Sequence, residues 1–238
     1  MSRKTIFTDL GVMDYQEAWD LQTNLHEELK AIKIKARRSG QVIEPLHHLL
    51  FVEHNHVYTL GKSGKIDNLK YSEKELESEG IKFYKINRGG DITYHGKGQL
   101  TIYPIFDLDD FFHDVHKYVR LLEEVIIRFL DDKGVKAYRR EAYTGVWVKH
   151  NEMQEKICAI GVHLSRWVSM HGLAFNINTN LDYFKGIIPC GIADSDSKVC
   201  SLESLLDEKQ NLAEVKLELK AKFKEVFDLE YVTKKEEN

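Results

Sequence analysis

The chain has no apolar run near the roughly 18–20 residues that span a bilayer. Its first residues, M-S-R-K-T-I-F-T-D-L, carry a basic pair but no apolar core of the signal-peptide kind. A cytoplasmic protein is the expectation. Cysteine is scarce: Cys158, Cys190 and Cys200 are the whole complement. An odd, sparse count argues against a disulfide framework, and none of them forms C-x-x-C, so a structural zinc site is not expected. There is no excess of positive charge either. With 30% charged residues the net charge is only −4, which excludes the global basic field that drives nucleic-acid binding. No G-x-x-x-x-G-K-[ST] loop and no strand–G-x-G-x-x-G–helix fingerprint occurs, so neither a P-loop nor a dinucleotide site is expected. H-N-H at His54–His56 puts two histidines on one strand face with no third ligand in view; a strand end near the surface is the reading, with no metal and no cofactor.

What is present suits one compact domain, 238 residues with 42% hydrophobic. Asp14 with Glu17 opens a helix whose Ala18, Leu21, Leu25, Leu29 and Ile32 recur at helical spacing to about Arg38. The K-I-K-A-R-R run at its end reads as a solvated, dipole-matched terminus or as a dock for an acidic partner. L-L-F-V-E-H reads as a buried strand that V-Y-T-L-G continues. Ser72 with Glu75 caps a short helix ending near Gly80, and residues 81–87 form a strand. Val115, Tyr118, Val119, Leu122, Val125, Ile126 and Phe129 form a helical stripe from Asp114 to Asp132, which Gly134 stops. T-G-V-W-V and K-I-C-A-I-G-V form a hairpin about H-N-E-M, M-H-G-L-A-F-N-I-N a further strand, and two helices follow, the second opened by Asn211 with Glu214. Uneven alternation of strands and helices, with hairpins among them, predicts an α+β fold: a mixed β-sheet with packed helices. The expected organisation is a single catalytic domain over 1–238, with core motifs in 45–205, C-terminal helices in 201–230 and a frayed tail in 231–238.

Three stretches carry the chemistry. R-G-G-D-I-T-Y-H-G-K-G-Q, Arg88 to Gln99, packs four glycines into twelve residues between two strands, where backbone N–H groups, Arg88 and His95 make a polar-lined turn. Taken alone, it is also an ordinary glycine-rich hairpin loop. K-I-C-A-I-G-V-H places Lys156 at a strand start, which taken alone is usually a solvated charge. Gly172 and Ala174 are small residues in a bulky strand, leaving room either for an apolar ligand or for a close-packed neighbour. In P-C-G, Pro189 fixes φ before Cys190 and lacks an N–H, and Gly191 leaves space for an incoming carbonyl, so the sulfur can sit at a tight, accessible turn. Cys158 and Cys200 lack that setting, and Cys158, in an apolar strand, reads as a small hydrophobe.

In this order, R-G-G-D-I-T-Y-H-G-K-G-Q-L-T-I-Y-P, K-I-C-A-I-G-V-H, H-G-L-A-F-N-I-N and P-C-G-I resemble the bacterial octanoyltransferases, the lipoyl(octanoyl) transferases of protein lipoylation (lipoate-protein ligase B type), over about residues 45 to 205. The resemblance implies a fold like the catalytic domain of biotin and lipoate protein ligases. It implies transfer of an octanoyl group from octanoyl-acyl carrier protein to a lysine of a lipoyl domain, in 2-oxo acid dehydrogenase complexes and the glycine cleavage H protein. It implies Cys190 as carrier of an acyl thioester and Lys156 as the group that lowers its pKa and handles protons. It implies a substrate site of Arg88, Gly89, Gly90, Asp91, Ile92, Thr93, Tyr94 and His95, of Ala159, Ile160 and Gly161, and of Gly172, Leu173 and Ala174. One departure is visible: the family loop reads H-G-P-G-Q, and Lys97 stands at the proline position, which puts the loop's rigidity in question.

The chemistry is consistent with those residues. Thioester exchange is nearly isoenergetic, and passage to an amine runs downhill to an amide, so neither step needs ATP. A free cysteine of pKa about 8.5 is only about 3% thiolate at pH 7. Lowering that pKa by about two units raises the thiolate about 25-fold but costs about 8-fold in nucleophilicity, a net gain of only a few-fold. Lys156 is therefore expected to move a proton as well, with positioning and backbone donors supplying the rest, Gly161 and Gly191 among the candidates. Burying about seven methylene or methyl groups at roughly 0.8 kcal/mol each gives about 5 kcal/mol for chain-length selection, with Ile160, Leu173 and Tyr94 as candidate liners. Lys97, Arg139, Arg140 and K-I-K-A-R-R are candidates for steering acidic partners. Two other readings stand beside this one: an ATP-dependent lipoate or biotin ligase on the same fold, and a carrier-binding module without turnover.

Overall fold

The computed structural model describes residues 3–40, 42, 44–150, 152–188 and 197–233. Pro189, Cys190 and Gly191 lie outside the described residues, as do Asn151 and the K-K-E-E-N terminus.

The fold is α+β, a mixed sheet flanked by helices. Nine described strands form the large sheet in the order β12-β1-β2-β6-β10-β9-β8-β7, with β11 also on β9. These are β1 (Arg3–Val12), β2 (His47–Glu53), β6 (Gln99–Ile105), β7 (Ala137–Arg140), β8 (Tyr143–His150), β9 (Met153–Ser165), β10 (Val168–Asn176), β11 (Ser197–Val199) and β12 (Leu229–Tyr231). Pairing is antiparallel from β2 to β7 and parallel for β1 with β2, β1 with β12 and β11 with β9. A second sheet of β3 (Val57–Leu60), β4 (Lys82–Lys85) and β5 (Ile92–His95) runs in the order β4-β3-β5.

Helix α1 (Tyr15–Ser39) is capped by Asp14, whose carboxylate accepts the Gln16 N–H at 2.9 Å, and it ends at Gly40 with φ +68°. It packs on β10 and β6. Helix α2 (Glu73–Ser78) has the capping box expected of Ser72 and Glu75. Helix α3 (Val115–Asp132) follows its cap Asp114 and lays the predicted stripe on β7, β8, β9 and α5 (Leu212–Phe227). A short α4 (Leu202–Leu206) precedes α5. No described helix is long and apolar enough to cross a membrane.

Four expectations need correction. V-Y-T-L-G does not continue the strand before it: the chain leaves the large sheet at Glu53, and β3 joins the small one. The segment 88–99 is not one loop, because Ile92–His95 pair with β3 as β5. No strand was expected before Asp14, yet β1 lies between β2 and β12. The tail does not fray from 231, since Leu229–Tyr231 pair with Arg3–Thr5 and the Val232 N–H reaches Thr5 O at 3.0 Å.

Candidate active site

Strands β9 and β10 set two pairs of small residues across from each other, Ala159 opposite Ala174 and Gly161 opposite Gly172. Ala159, Gly161 and Ala174 border a cavity of about 440 Å³, within the roughly 300–1,000 Å³ usual for small-molecule sites. A smaller space of about 50 Å³ adjoins it and shares Arg88, Thr93, Ala159, Ile160, Gly161 and Ala174. The predicted residues Arg88, Gly89, Gly90, Asp91, Ile92, Thr93, Lys156, Ala159, Ile160, Gly161 and Ala174 border the larger cavity. His95, Gly172 and Leu173 border the smaller one. Ile160 and Leu173 also belong to the apolar core. Gly172 serves packing: a Cβ there would lie 2.1 Å from Ile102 O on β6. Gly161 lets the arginine loop close down, since a Cβ would meet Gly89 O at 2.8 Å. The Gly89 N–H donates to Val162 O at 2.9 Å across that approach.

Tyr94 borders neither cavity. Thr93 and His95 border the cavities, whereas the Tyr94 side chain packs into the apolar cluster of the second sheet. There it stacks on Tyr183 at 5.0 Å, and its hydroxyl bonds His56 Nδ1 at 2.7 Å. His54 is not at the surface. It is buried, donating from Nδ1 to Met13 O at 2.9 Å and accepting from the Tyr103 hydroxyl at 2.8 Å, and burial lowers its pKa to about 4.

A directional chain of hydrogen bonds runs through the site. The Arg88 guanidinium donates to Thr59 Oγ1 at 3.0 Å and Thr59 O at 2.6 Å, and the Thr59 hydroxyl faces His95 Nε2 at 3.3 Å. His95 Nδ1 donates to Gln99 Oε1 at 2.8 Å, Gln99 Nε2 to Asn176 Oδ1 at 2.9 Å, and Asn176 Nδ2 to Cys200 O at 3.0 Å. The Cys200 N–H then donates to Lys156 O at 3.1 Å. Every donor in this series points the same way, which requires a neutral His95 carrying its proton on Nδ1. Complete burial, with Arg88 close by, pushes its pKa well below the ordinary histidine value in agreement.

Lys156 stands on β9 with Trp147 of β8 on one side and Val199 of β11 on the other. Strand β11 takes the edge of β9 just past the last residue paired with β10, Cys158. The lysine borders the cavity, and its Nζ lies 4.7 Å from the Trp147 ring centre. Sequence reasoning missed Tyr143 and Thr144, Val115 and Val119 of α3, and Asn176, which also border the cavity. T-G-V-W-V was read only as a hairpin arm. No sequence signal set them apart: Val115 and Val119 read as members of the α3 stripe, and only the structure shows Val115 left 38% exposed at the first turn.

Cys158 and Cys200 are free and buried, and burial pushes both thiols up, with Glu123 adding to Cys158 and Glu155 to Cys200. Burial keeps both sulfurs from an incoming acyl group and favours the protonated thiol. The last described residue before Cys190 is Ile188, whose N–H donates to Asn68 O at 2.8 Å. Phe184 and Val199, on either side of the segment, both border the cavity.

The steering candidates are largely used internally. Lys33 is 9% exposed between Asp107 (2.6 Å) and Asp109 (2.7 Å), and Arg37 pairs with Asp109 at 3.0 Å. Arg139 pairs with Glu123 and Glu124, and Arg140 lies over Tyr143 and Trp147. Lys97 is exposed, and its loop is held: the Gly98 N–H reaches Glu53 Oε2 at 3.2 Å, and Gly98 O accepts from the Ile177 and Asn178 N–H groups.

Residues 14–224 match the family described as the lipoyl protein ligase A/B catalytic domain. The chain is 52% identical over 232 residues to an octanoyltransferase of Christiangramia forsetii, covering 97% of this chain and 98% of that protein. It is 48% identical to an octanoyltransferase of Flavobacterium johnsoniae, covering 98% and 100%. The fold superposes on that of lipoate-protein ligase A bound with ATP with a TM-score of 0.67 at 17% identity, covering 100% of this chain and 92% of that one.

Proposed function

The chain belongs to the lipoyl protein ligase A/B catalytic-domain family and is an octanoyltransferase of protein lipoylation, and on that premise we propose that it moves the acyl group in two steps through Cys190 and Lys156. The carrying observation is that Lys156 is held between β8 and β11 at the wall of a cavity floored by Ala159, Gly161 and Ala174. The flanks of the Cys190 segment support the assignment, because Phe184 and Val199 border the same cavity. So does the burial of the other two cysteines.

In the first step the Cys190 thiolate attacks the thioester carbonyl of octanoyl-acyl carrier protein. A new carbon–sulfur bond forms, the carrier thiol leaves, and it takes up the proton that Cys190 gave to Lys156. In the second step the lysine of a lipoyl domain, as in 2-oxo acid dehydrogenase complexes or the glycine cleavage H protein, attacks the acyl-cysteine. The amide forms, the thiolate is released, and the proton lost by the incoming amine passes to Lys156. The neutral His95 and its hydrogen-bonded neighbours fix the cavity wall without adding a second mobile proton. The octanoyl tail lies over the small residues of β9 and β10.

The test is single-turnover transfer from octanoyl-acyl carrier protein to a lipoyl domain with ATP omitted. Wild type transfers, and Cys190→Ala and Lys156→Met do not. Activity only with free octanoate plus ATP, or undiminished transfer by Cys190→Ala, contradicts the assignment.

A further inference from the structure

Trp147 is fully buried on β8, opposite Lys156. A buried tryptophan ordinarily finds a hydrogen-bond partner for its indole N–H. Among the described residues, Trp147 Nε1 has none. The ring is therefore not kept for its polar edge. What it presents is its face: Lys156 Nζ lies 4.7 Å and the Arg140 guanidinium carbon 5.0 Å from the ring centre. Both fall within the roughly 6 Å over which a cation is drawn to an aromatic quadrupole. Tyr143 packs edge-on against the same ring at 6.1 Å.

The rest of β8 is shaped to the same lysine. Gly145 has φ +121°, and a Cβ there would press on Cys158 O at 2.6 Å and touch Lys156 Cδ and Cε at 3.6 Å. Its N–H is held by Glu123 Oε1 at 3.0 Å, and Glu123 is itself buried on α3. The lysine stem thus runs past a residue with no side chain, and its ammonium ends over the indole two positions on.

We infer that Trp147 is a positioning residue for Lys156, its indole face holding the ammonium at the cavity wall and favouring the charged amine over the neutral one. This rests on the reading of Lys156 as the proton carrier. Arg140 acts in the opposite sense, because it shares the ring and lies within about 10 Å of the ammonium. Among the described residues, the other charged and titratable groups about Lys156 are Arg88, Asp91 and Tyr143 at the cavity, and Glu123 and Cys158 behind it. Replacing Trp147 removes none of these groups, and the Arg140 variant, expected to act in the opposite sense through the same ring, is the control.

The experiment reads protonation without turnover. The full chain is acetylated with limiting acetic anhydride across a pH series, against a small-amine standard. The Lys156 peptide is quantified by mass spectrometry for wild type, Trp147→Phe, Trp147→Leu and Arg140→Gln. At fixed pH the ratio of ammonium to free amine falls on the order of tenfold in Trp147→Leu and by less in Trp147→Phe, and it rises in Arg140→Gln. An unchanged or raised ratio in folded Trp147→Leu overturns the inference. If that variant does not fold, the phenylalanine variant decides: a fall supports the inference and no change overturns it. Transfer by Lys156→Met is measured in parallel. Wild-type transfer there sinks the proton-carrier reading and leaves the labelling result standing, whereas lost transfer with unmoved labelling sinks only the role of Trp147.

Discussion

Helices α1 and α3 both flank the large sheet, and they bury different chemistry. The buried face of α3 is Tyr118, Leu122, Val125, Ile126, Phe129 and Leu130, with Glu123 the one carboxylate. The buried face of α1 is Tyr15, Ala18, Gln22, His26 and Leu29, and its polar members bond the irregular backbone of β10. Gln22 Oε1 accepts the His171 N–H at 3.1 Å, at a residue with φ +60°, and His26 Nε2 donates to Val168 O at 3.2 Å. The α3 side is hydrocarbon with a single ionic anchor beside Lys156. The α1 side is a hydrogen-bonded lattice that also holds His54 and Tyr103. Stability comes chiefly from the first, and the second holds the uncharged floor and back wall of the site in one tautomeric state.

Four changes test that division, in falling order of effect. Lys156→Met lowers the transfer rate by about 10²–10⁴-fold and leaves the melting temperature nearly unmoved, read by single-turnover kinetics and thermal denaturation. A comparable loss of fold would mean that the lysine is structural. Phe129→Ala on the α3 side removes a fully buried ring that meets Phe175 edge-on. Denaturant titration should show a loss of about 3–5 kcal/mol, the same at pH 7 and pH 5.

The α1 side differs in its response to acid. His54 has its pKa lowered to about 4 and His171 to about 3, chiefly by burial, and burial also holds His95 well below the ordinary histidine value. Histidines held neutral when folded bind protons more readily when unfolded, so stability is complete above about pH 6.5. It falls as pH drops towards the folded values, by about 1.4 kcal/mol per pH unit for each such histidine. Urea melts at steps from pH 7 to pH 4.5 measure the slope, and His54→Gln should make it shallower by one proton. An unchanged slope would mean that the imidazole already titrates freely. The smallest effect is expected for Lys97→Pro. The loop is pinned by Gly98 on both sides, so transfer stays within about twofold and stability rises by at most about 1 kcal/mol. A larger gain in rate would show that the loop moves during turnover.

The same contrast decides what was legible in the sequence. The α3 stripe was readable because hydrocarbon at 3.6-residue spacing has one meaning, and Asp14 and Ser72 announced their helices by capping chemistry. The α1 side was readable only as a helix. Nothing in the sequence shows that His54 is buried, since its partners, Met13 O and Tyr103, lie on other elements. Likewise Lys33 became an ion pair rather than a dock because Asp107 and Asp109 come back to it from 74 and 76 positions away. The switch of β3 into a second sheet was hidden by its apolar composition, which suits either sheet. The R-G-G, small-residue and Lys156 motifs were legible as a set, and the structure brings them to two adjoining cavities. Tyr94, expected with its motif neighbours at the site, borders neither cavity and stacks on Tyr183 instead, a contact between residues 89 positions apart that local sequence does not show.

The two-step path is tested most directly by the mass of the intact protein after incubation with octanoyl-acyl carrier protein and no acceptor. The account predicts a gain of one octanoyl group, mapped by peptide analysis to Cys190, labile to hydroxylamine and absent in Cys190→Ala. A wild-type enzyme that transfers at full rate yet never carries the group, or a Cys190→Ala protein that still does, would contradict it.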